Sequence, residues 1–118
     1  MDFDGAIKAH SDWKLKLSRY LRNADGSLKA ADIRPDNRCP LGPWIHGDGA
    51  AFAREPDFAV LKDAHAKFHV AAAEIVQKAD AKQDVAEEIA LGAASPFGTA
   101  SMTVVSSLLK LKLKVHPA

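Results

Sequence analysis

The sequence has little cysteine and no long apolar run, and each absence excludes a class of protein. Cys39 is the single cysteine among 118 residues, so no intramolecular disulfide can form. No stretch approaches the roughly 20 consecutive apolar residues of a membrane-spanning helix. The N-terminus is acidic at Asp2 and Asp4, where a secretory signal would be basic. We therefore expect a cytoplasmic protein with no membrane partner.

An excess of charge of either sign is also missing. The 16 basic and 15 acidic side chains leave a formal net charge of +1, which does not favour nucleic acid as a partner. Hydrophobic residues make up 47% of the chain, an ordinary share for a soluble globular protein. The length suits one folding unit, so we expect residues 1–118 to form a single domain.

Two long segments carry apolar residues at helical spacing. The first is predicted to form a helix from about Phe3 to Arg22. Its apolar side comprises Phe3, Ile7, Trp13, Leu17, Tyr20 and Leu21. The second begins at Pro56, a residue favoured at the first helical position, and is predicted to run to about Ala79. Its apolar stripe comprises Phe58, Leu61, His65, Phe68, Ala72, Ile75 and Val76.

The chain between and after these helices is less regular. The segment from Leu28 to Ile33 lies between turn-rich clusters and is too short to assign. The segment from Cys39 to Gly49 contains two prolines and three glycines, which predicts an irregular stretch or a short helix. Further helices are predicted from Gln83 to Leu91 and after Ser95-Pro96, which form a good cap and first-turn pair.

The last predicted helix has to be distinguished from a strand. From Leu109 to Val115, apolar residues alternate with lysines at a period of two, which is typical of a strand. We prefer a helix because no partner strand is evident and the lysines would lie at the negative end of a helix dipole. Its buried edge would comprise Val104, Leu108, Leu111 and Val115. The expected fold class is all-α, a small antiparallel four-helix bundle with a short extra helix or loop that carries Cys39.

Three histidines are predicted to point into this bundle. His65 and His69 lie four residues apart, so their imidazoles project from one side of a helix and can share a metal ion. His10 lies on the apolar side of the first helix rather than among its lysines. A metal-free interpretation is that all three are hydrogen-bonded core histidines. Burying several imidazoles without a ligand, however, leaves many donors and acceptors to satisfy.

The single cysteine completes a metal-binding set. Zinc accepts histidine nitrogen and cysteine sulfur in a tetrahedral shell, and Cys39 lies in a Pro/Gly-rich segment able to bring a thiolate over the bundle. The predicted ligands of one zinc ion are therefore His10, Cys39, His65 and His69. His46, close to the cysteine in sequence, is a competing ligand, whereas His116 near the C-terminus is expected to be solvated.

An enzyme is the main rival interpretation. A zinc hydrolase needs an open coordination position for water and a nearby general base. Zinc proteases carry Glu directly after the first His of such a pair, but Ala66 follows His65 here. Four protein ligands leave no position for water, so we expect a protein that is not an enzyme. Two non-enzymatic modules are also compatible with the pattern: a purely structural, zinc-stabilised interaction module, and a helical module with core histidines that needs no metal.

The order of these motifs resembles the chemoreceptor zinc-binding domain family. His10 precedes Trp13-Lys14, residues 39–44 read Cys-Pro-Leu-Gly-Pro-Trp, and residues 65–69 read His-Ala-Lys-Phe-His. The family pattern is a His before an aromatic residue and a Lys, a Cys-x-Leu-Gly-x-Trp box and a His-x-x-x-His helix. The segment from Ser95 to Leu111 also looks like the last helix of the family. The resemblance implies the same four zinc ligands.

The resemblance also implies a signalling role. Members of the family are usually attached to chemoreceptors or diguanylate cyclases and report zinc or oxidants such as hypochlorous acid, often as dimers. We therefore expect a bacterial sensor for chemotaxis or cyclic-di-GMP control, with a signalling partner of those types or a second copy as homodimer. One departure is Pro43, where the family usually has Lys, Arg or another polar residue. Proline fixes its backbone angle, so the loop that carries Cys39 would be stiffer here.

Overall fold

The computed structural model describes residues 3–35, 41–82, 91–92 and 94–115 of the chain. Every regular element within these ranges is helical, which confirms the all-α class. The elements are α1 (Phe3–Arg22), α2 (Ala30–Ile33), α3 (Leu41–Ile45), a short 3-10 helix (Asp48–Phe52), α4 (Pro56–Asp80) and α5 (Pro96–Val115). Within the same ranges, no helix has the length and hydropathy needed to cross a membrane.

The helices α1 and α4 form where the sequence predicts them, because each buries one coherent apolar side. The first begins at Phe3 and ends at Arg22, and the second begins at Pro56 and extends one residue past Ala79. The whole predicted stripe of α4 is buried. Full burial of a large side chain such as Phe68 contributes about 1.5–3 kcal/mol to folding, so these stripes decide which faces pack inward.

The predicted cap of α5 is confirmed. Ser95 Oγ accepts a hydrogen bond from the Gly98 N–H at 2.9 Å, which satisfies one of the open amide groups of the first turn. The helix runs to Val115, so the alternating tail forms a helix and not a strand. Its buried edge includes, as predicted, Val104, Leu108 and Leu111. The side chain of Val115 is not among those that the structure describes.

The segment after Cys39 contains more helix than its composition suggested. The short helix α3 includes Pro43, whose missing amide is harmless because a first-turn amide has no partner within the helix. The 3-10 helix then folds back closely on α3. A Cβ atom at Gly49 would lie 2.6 Å from the carbonyl oxygen of Trp44, so only glycine permits this approach. This compact turn brings the chain to the start of α4.

The central element of the described fold is α4, which packs most extensively along α5 and also contacts α1 and α2. The rings of Phe68 in α4 and Phe97 in α5 lie with their centroids 5.0 Å apart. The helix predicted from Gln83 to Leu91 lies outside the described residues except for its last position. The antiparallel four-helix arrangement therefore stays a prediction.

Candidate metal centre

Three buried histidines converge between α1 and α4. His10 comes from α1, and His65 and His69 come from successive turns of α4; they are 2%, 0% and 3% exposed, respectively. One ligand-capable ring nitrogen from each lies within 4.8 Å of those of the others. The structure thus brings together three of the four residues that were predicted as ligands. Cys39, the fourth, lies outside the described residues.

Backbone carbonyl groups fix the tautomer of two of these rings. The Nδ1–H of His10 donates to the carbonyl oxygen of Ala6 at 2.8 Å, and the Nδ1–H of His69 donates to that of Ile33 in α2 at 2.8 Å. A carbonyl group can only accept, so each Nδ1 carries the proton of its neutral ring. The Nε2 atom of each ring is then unprotonated and able to bind a metal, an arrangement common among metal-bound histidines.

The spacing of the ring nitrogens fits a metal ion. Nε2 of His65 lies 3.1 Å from Nε2 of His69. Tetrahedral zinc with Zn–N bonds of about 2.0–2.1 Å separates its ligand atoms by roughly 3.3 Å. The observed distance also permits a hydrogen bond when His65 carries its proton on Nε2. The donor set therefore fits zinc, and the same rings can pair with each other when no metal is bound.

Burial favours the neutral form of two of the rings. Desolvation lowers the pKa of His65 to about 3, and the neighbouring histidines add smaller effects in the same direction. Desolvation also lowers the pKa of His10, although the carbonyl of Ala6 partly opposes this. Metal ions bind the neutral imidazole. The surroundings therefore keep both rings in the ligand form at neutral pH.

Aromatic side chains form one wall of the site. The ring of His10 meets the ring of Phe68 edge to face, with centroids 5.2 Å apart. Towards α3, the ring of Trp44 packs against the rings of Phe3 and Phe58, with centroid distances of 5.7 Å and 6.0 Å, respectively. The histidines therefore lie within the hydrophobic core, where a low local dielectric strengthens polar interactions and raises the cost of unsatisfied ones.

The competing ligand His46 does not join the cluster that the described residues form. It is exposed, and it follows directly after α3. Its charge still contributes to lowering the pKa of His65, so the end of α3 lies near the site. His116 lies outside the described residues.

Sequence reasoning did not identify the carbonyl groups of Ala6 and Ile33. Every residue carries a carbonyl group, so side-chain patterns give no signal for this role. The one at Ala6 is a local choice, four residues before His10. The one at Ile33 is 36 positions from His69 and becomes a neighbour only because α2 packs on α4.

The fold and the site together define a small helical domain with a buried histidine cluster of metal-binding type. The family model of the chemoreceptor zinc-binding domain matches residues 10–76, more than half of the chain, and the chain belongs to this family. Membership implies a zinc-binding sensory domain. The match spans all four predicted ligand positions but not Ser95 to Leu111, whose likeness to the family stays a prediction. No curated protein and no solved structure matches the chain.

Proposed function

We propose that this chain senses zinc or an oxidant through one zinc ion held by His10, Cys39, His65 and His69. The observation that carries the proposal is the buried group of three histidines, whose ligand-capable atoms lie within 4.8 Å of one another. A signalling protein of chemoreceptor or diguanylate cyclase type, or a second copy of the chain, would receive the signal. We include in the proposal a single domain built as an antiparallel four-helix bundle.

Both described flanks of Cys39 support its role as the fourth ligand. The carbonyl of Ile33, six positions earlier, is hydrogen-bonded to His69. Leu41, two positions later, is fully buried in the core. Six residues span at most about 20 Å, so a chain anchored at Ile33 is long enough to return a thiolate to the histidines.

The residues of the chain prepare the site before any metal arrives. His10 and His69 donate their Nδ1–H groups to backbone carbonyl oxygens, which leaves Nε2 of each ring free of a proton and able to bind the metal. A bound zinc ion would supply a cross-link between α1, α4 and the cysteine segment, together with the charge that stabilises a thiolate. Because protons compete for the same nitrogen and sulfur atoms, zinc affinity should fall as the pH drops. The lowered pKa values of His65 and His10 shift the contribution of these two rings below the ordinary histidine range.

Oxidation is the second input that we propose. Cys39 would be the only sulfur ligand, since it is the only cysteine of the chain. A sulfur taken to the sulfenic or sulfinic state is a poorer ligand than a thiolate, so oxidation should weaken zinc binding. Stoichiometric hypochlorous acid should lower both the zinc occupancy and the free thiol count. Unchanged values of both would remove the redox role and leave zinc sensing.

A purely structural zinc site is a second function that the same histidine cluster supports. Such a site would stabilise an interaction module without responding to a signal, because structural zinc contributes a large share of folding free energy. It predicts that zinc stays bound under oxidant and mild chelator for as long as the protein is folded. A zinc hydrolase is disfavoured because three histidines and a cysteine leave no coordination position for water.

The first test is the zinc content per chain, measured by native mass spectrometry. We expect one zinc ion in the wild type, and loss or strong weakening in Cys39→Ala and His69→Ala. His46→Ala is the matched control, because this histidine is exposed and lies outside the cluster; it should retain zinc. A folded wild type without zinc would overturn the proposal and favour a metal-free helical module.

A further inference from the structure

The helix α5 has a second apolar face, on the side opposite its buried edge. This face carries residues at spacings of i, i+3, i+7 and i+11, which place them on one side of a helix. Its members are Met102, Val105, Leu109 and Leu113. Three of them are large and open to solvent: Met102 is 62%, Leu109 46% and Leu113 64% exposed. The buried edge of α5 is apolar because it packs within the chain. Packing within the chain does not account for the apolar character of the second face.

This second face lines a groove between α5 and α1. The groove has a volume of about 520 Å³ and is closed on the α1 side by Ser11 and Lys14. Lys110 lines it from α5. A shallow apolar groove of this kind accepts the side chains of an amphipathic helix laid along it. We call it the α1–α5 groove.

The charge around the α1–α5 groove has one sign. Its described lining contains Lys14 and Lys110 but no acidic residue. The acidic groups of α1 have cations elsewhere, since Asp12 pairs with Lys8 at 2.8 Å and Asp4 pairs with the end of α5. A partner that buries its apolar side chains here would therefore meet two ammonium groups at the edges.

We propose that the α1–α5 groove binds an amphipathic helix of another protein, one that carries acidic residues beside its apolar stripe. Apolar contacts would supply most of the affinity, and the lysines would select the partner and its orientation. The groove-lining residues of α5 lie beyond residues 10–76, the part of the chain that the family model matches. None of the groove-lining residues is a ligand in the proposed zinc site.

The charges favour this occupant over a second copy of the chain. A two-fold contact brings the same patch of both copies together, so Lys14 and Lys110 would face further lysines without an acidic residue of the described groove to offset them.

The test uses the full chain as purified and two synthetic 18-residue helical peptides with identical leucine stripes. One peptide carries Glu on both sides of the stripe and the other carries Lys. Fluorescence anisotropy at low salt should show the Glu peptide binding about tenfold more tightly, because two attractive contacts replace two repulsive ones. Leu109→Ser should weaken the Glu peptide about fivefold or more, and Lys110→Glu should reduce the preference for it.

A matched control is Val60→Ser, since Val60 is 47% exposed, like Leu109, but lies on α4 in a different groove. It should leave the affinity unchanged. Zinc content should be the same in every variant. The proposal is overturned if neither peptide binds, if both bind equally, or if Val60→Ser has the larger effect. Concentration-dependent dimers, or binding to vesicles of phosphatidylcholine and phosphatidylserine, that Leu109→Ser abolishes would overturn it in favour of a second copy or a membrane.

Discussion

The histidine cluster and the ion pairs at the end of α5 both join helices that are distant in sequence, but they depend on water in opposite ways. The histidines are at most 3% exposed. The surface ion pairs join Lys112 to Asp4 at 2.7 Å and Lys114 to Glu55 at 2.6 Å, with both lysine side chains about 40% exposed. Buried polar groups cost stability when their partners are lost, whereas solvent-screened pairs contribute little. Changes to the histidine cluster should therefore have larger effects than changes to the surface ion pairs.

Removal of zinc should have the largest effect, because it acts on the buried histidines. We expect a chelator to lower the apparent free energy of unfolding by several kcal/mol, because zinc contributes about 10–16 kcal/mol in small peptide models. Amide hydrogen exchange should rise in the segment around Cys39. The measurement is hydrogen exchange and thermal unfolding with and without chelator. Equal exchange in that segment in both states would contradict the prediction, and His69→Ala should already behave like the chelated wild type.

Acid should destabilise the metal-free protein through the same histidines. His65 has a folded-state pKa of about 3, whereas an unfolded histidine titrates near 6.5. Between these values only the unfolded chain gains the proton, so stability is complete above pH 6.5 and is lost as the pH falls towards 3. The slope should be up to about 1.4 kcal/mol per pH unit for each such ring.

Urea unfolding of the chelated protein across this pH range measures the effect. His65→Gln should flatten the slope, and the exposed His46→Gln is the control that should preserve it. A wild-type curve that is level between pH 6.5 and pH 4 would show that His65 is protonated in the folded state.

The hydroxyl group of Tyr20 should show an intermediate effect. It donates to Asp80 Oδ1 at 2.5 Å, which ties the end of α1 to the end of α4. It also lies 3.4 Å from the carbonyl oxygen of Leu28 and accepts from the Gly26 N–H at 3.2 Å. Tyr20→Phe keeps the buried ring and removes all these bonds, so the melting temperature should fall by about 3–8 °C. Zinc content should not change. A melting temperature equal to that of the wild type would mean that water replaces the hydroxyl at no cost.

The surface ion pairs should show the smallest effect. Lys112→Met removes the contact with Asp4 but keeps most of the side chain that packs on the surface. The melting temperature should shift by about 2 °C or less, and 1 M sodium chloride should reduce even that shift because it shortens the screening length to about 3 Å. A larger loss that persists in high salt would show that this pair is better shielded than its exposure indicates.

Local patterns were sufficient for the long helices. The bounds of α1, the Pro56 start of α4 and the Ser95 cap of α5 follow from spacing and capping chemistry, and the structure agrees with each. The four-residue helix Ala30–Ile33 could not be assigned, because a single turn is too short to be stable by itself. Its packing against α4 holds it in place.

The candidate site likewise combines features that local patterns predict with features that depend on packing between helices. Helical periodicity is enough to predict that His65 and His69 share one side of a helix and that His10 faces the core, because it decides which side chains point inward. Three features depend on tertiary packing: His10 meets the other two rings, the carbonyl of Ile33 orients His69, and burial lowers the pKa of His65. Periodicity specifies the faces of single helices, whereas desolvation and contacts between helices exist only after those faces have packed together.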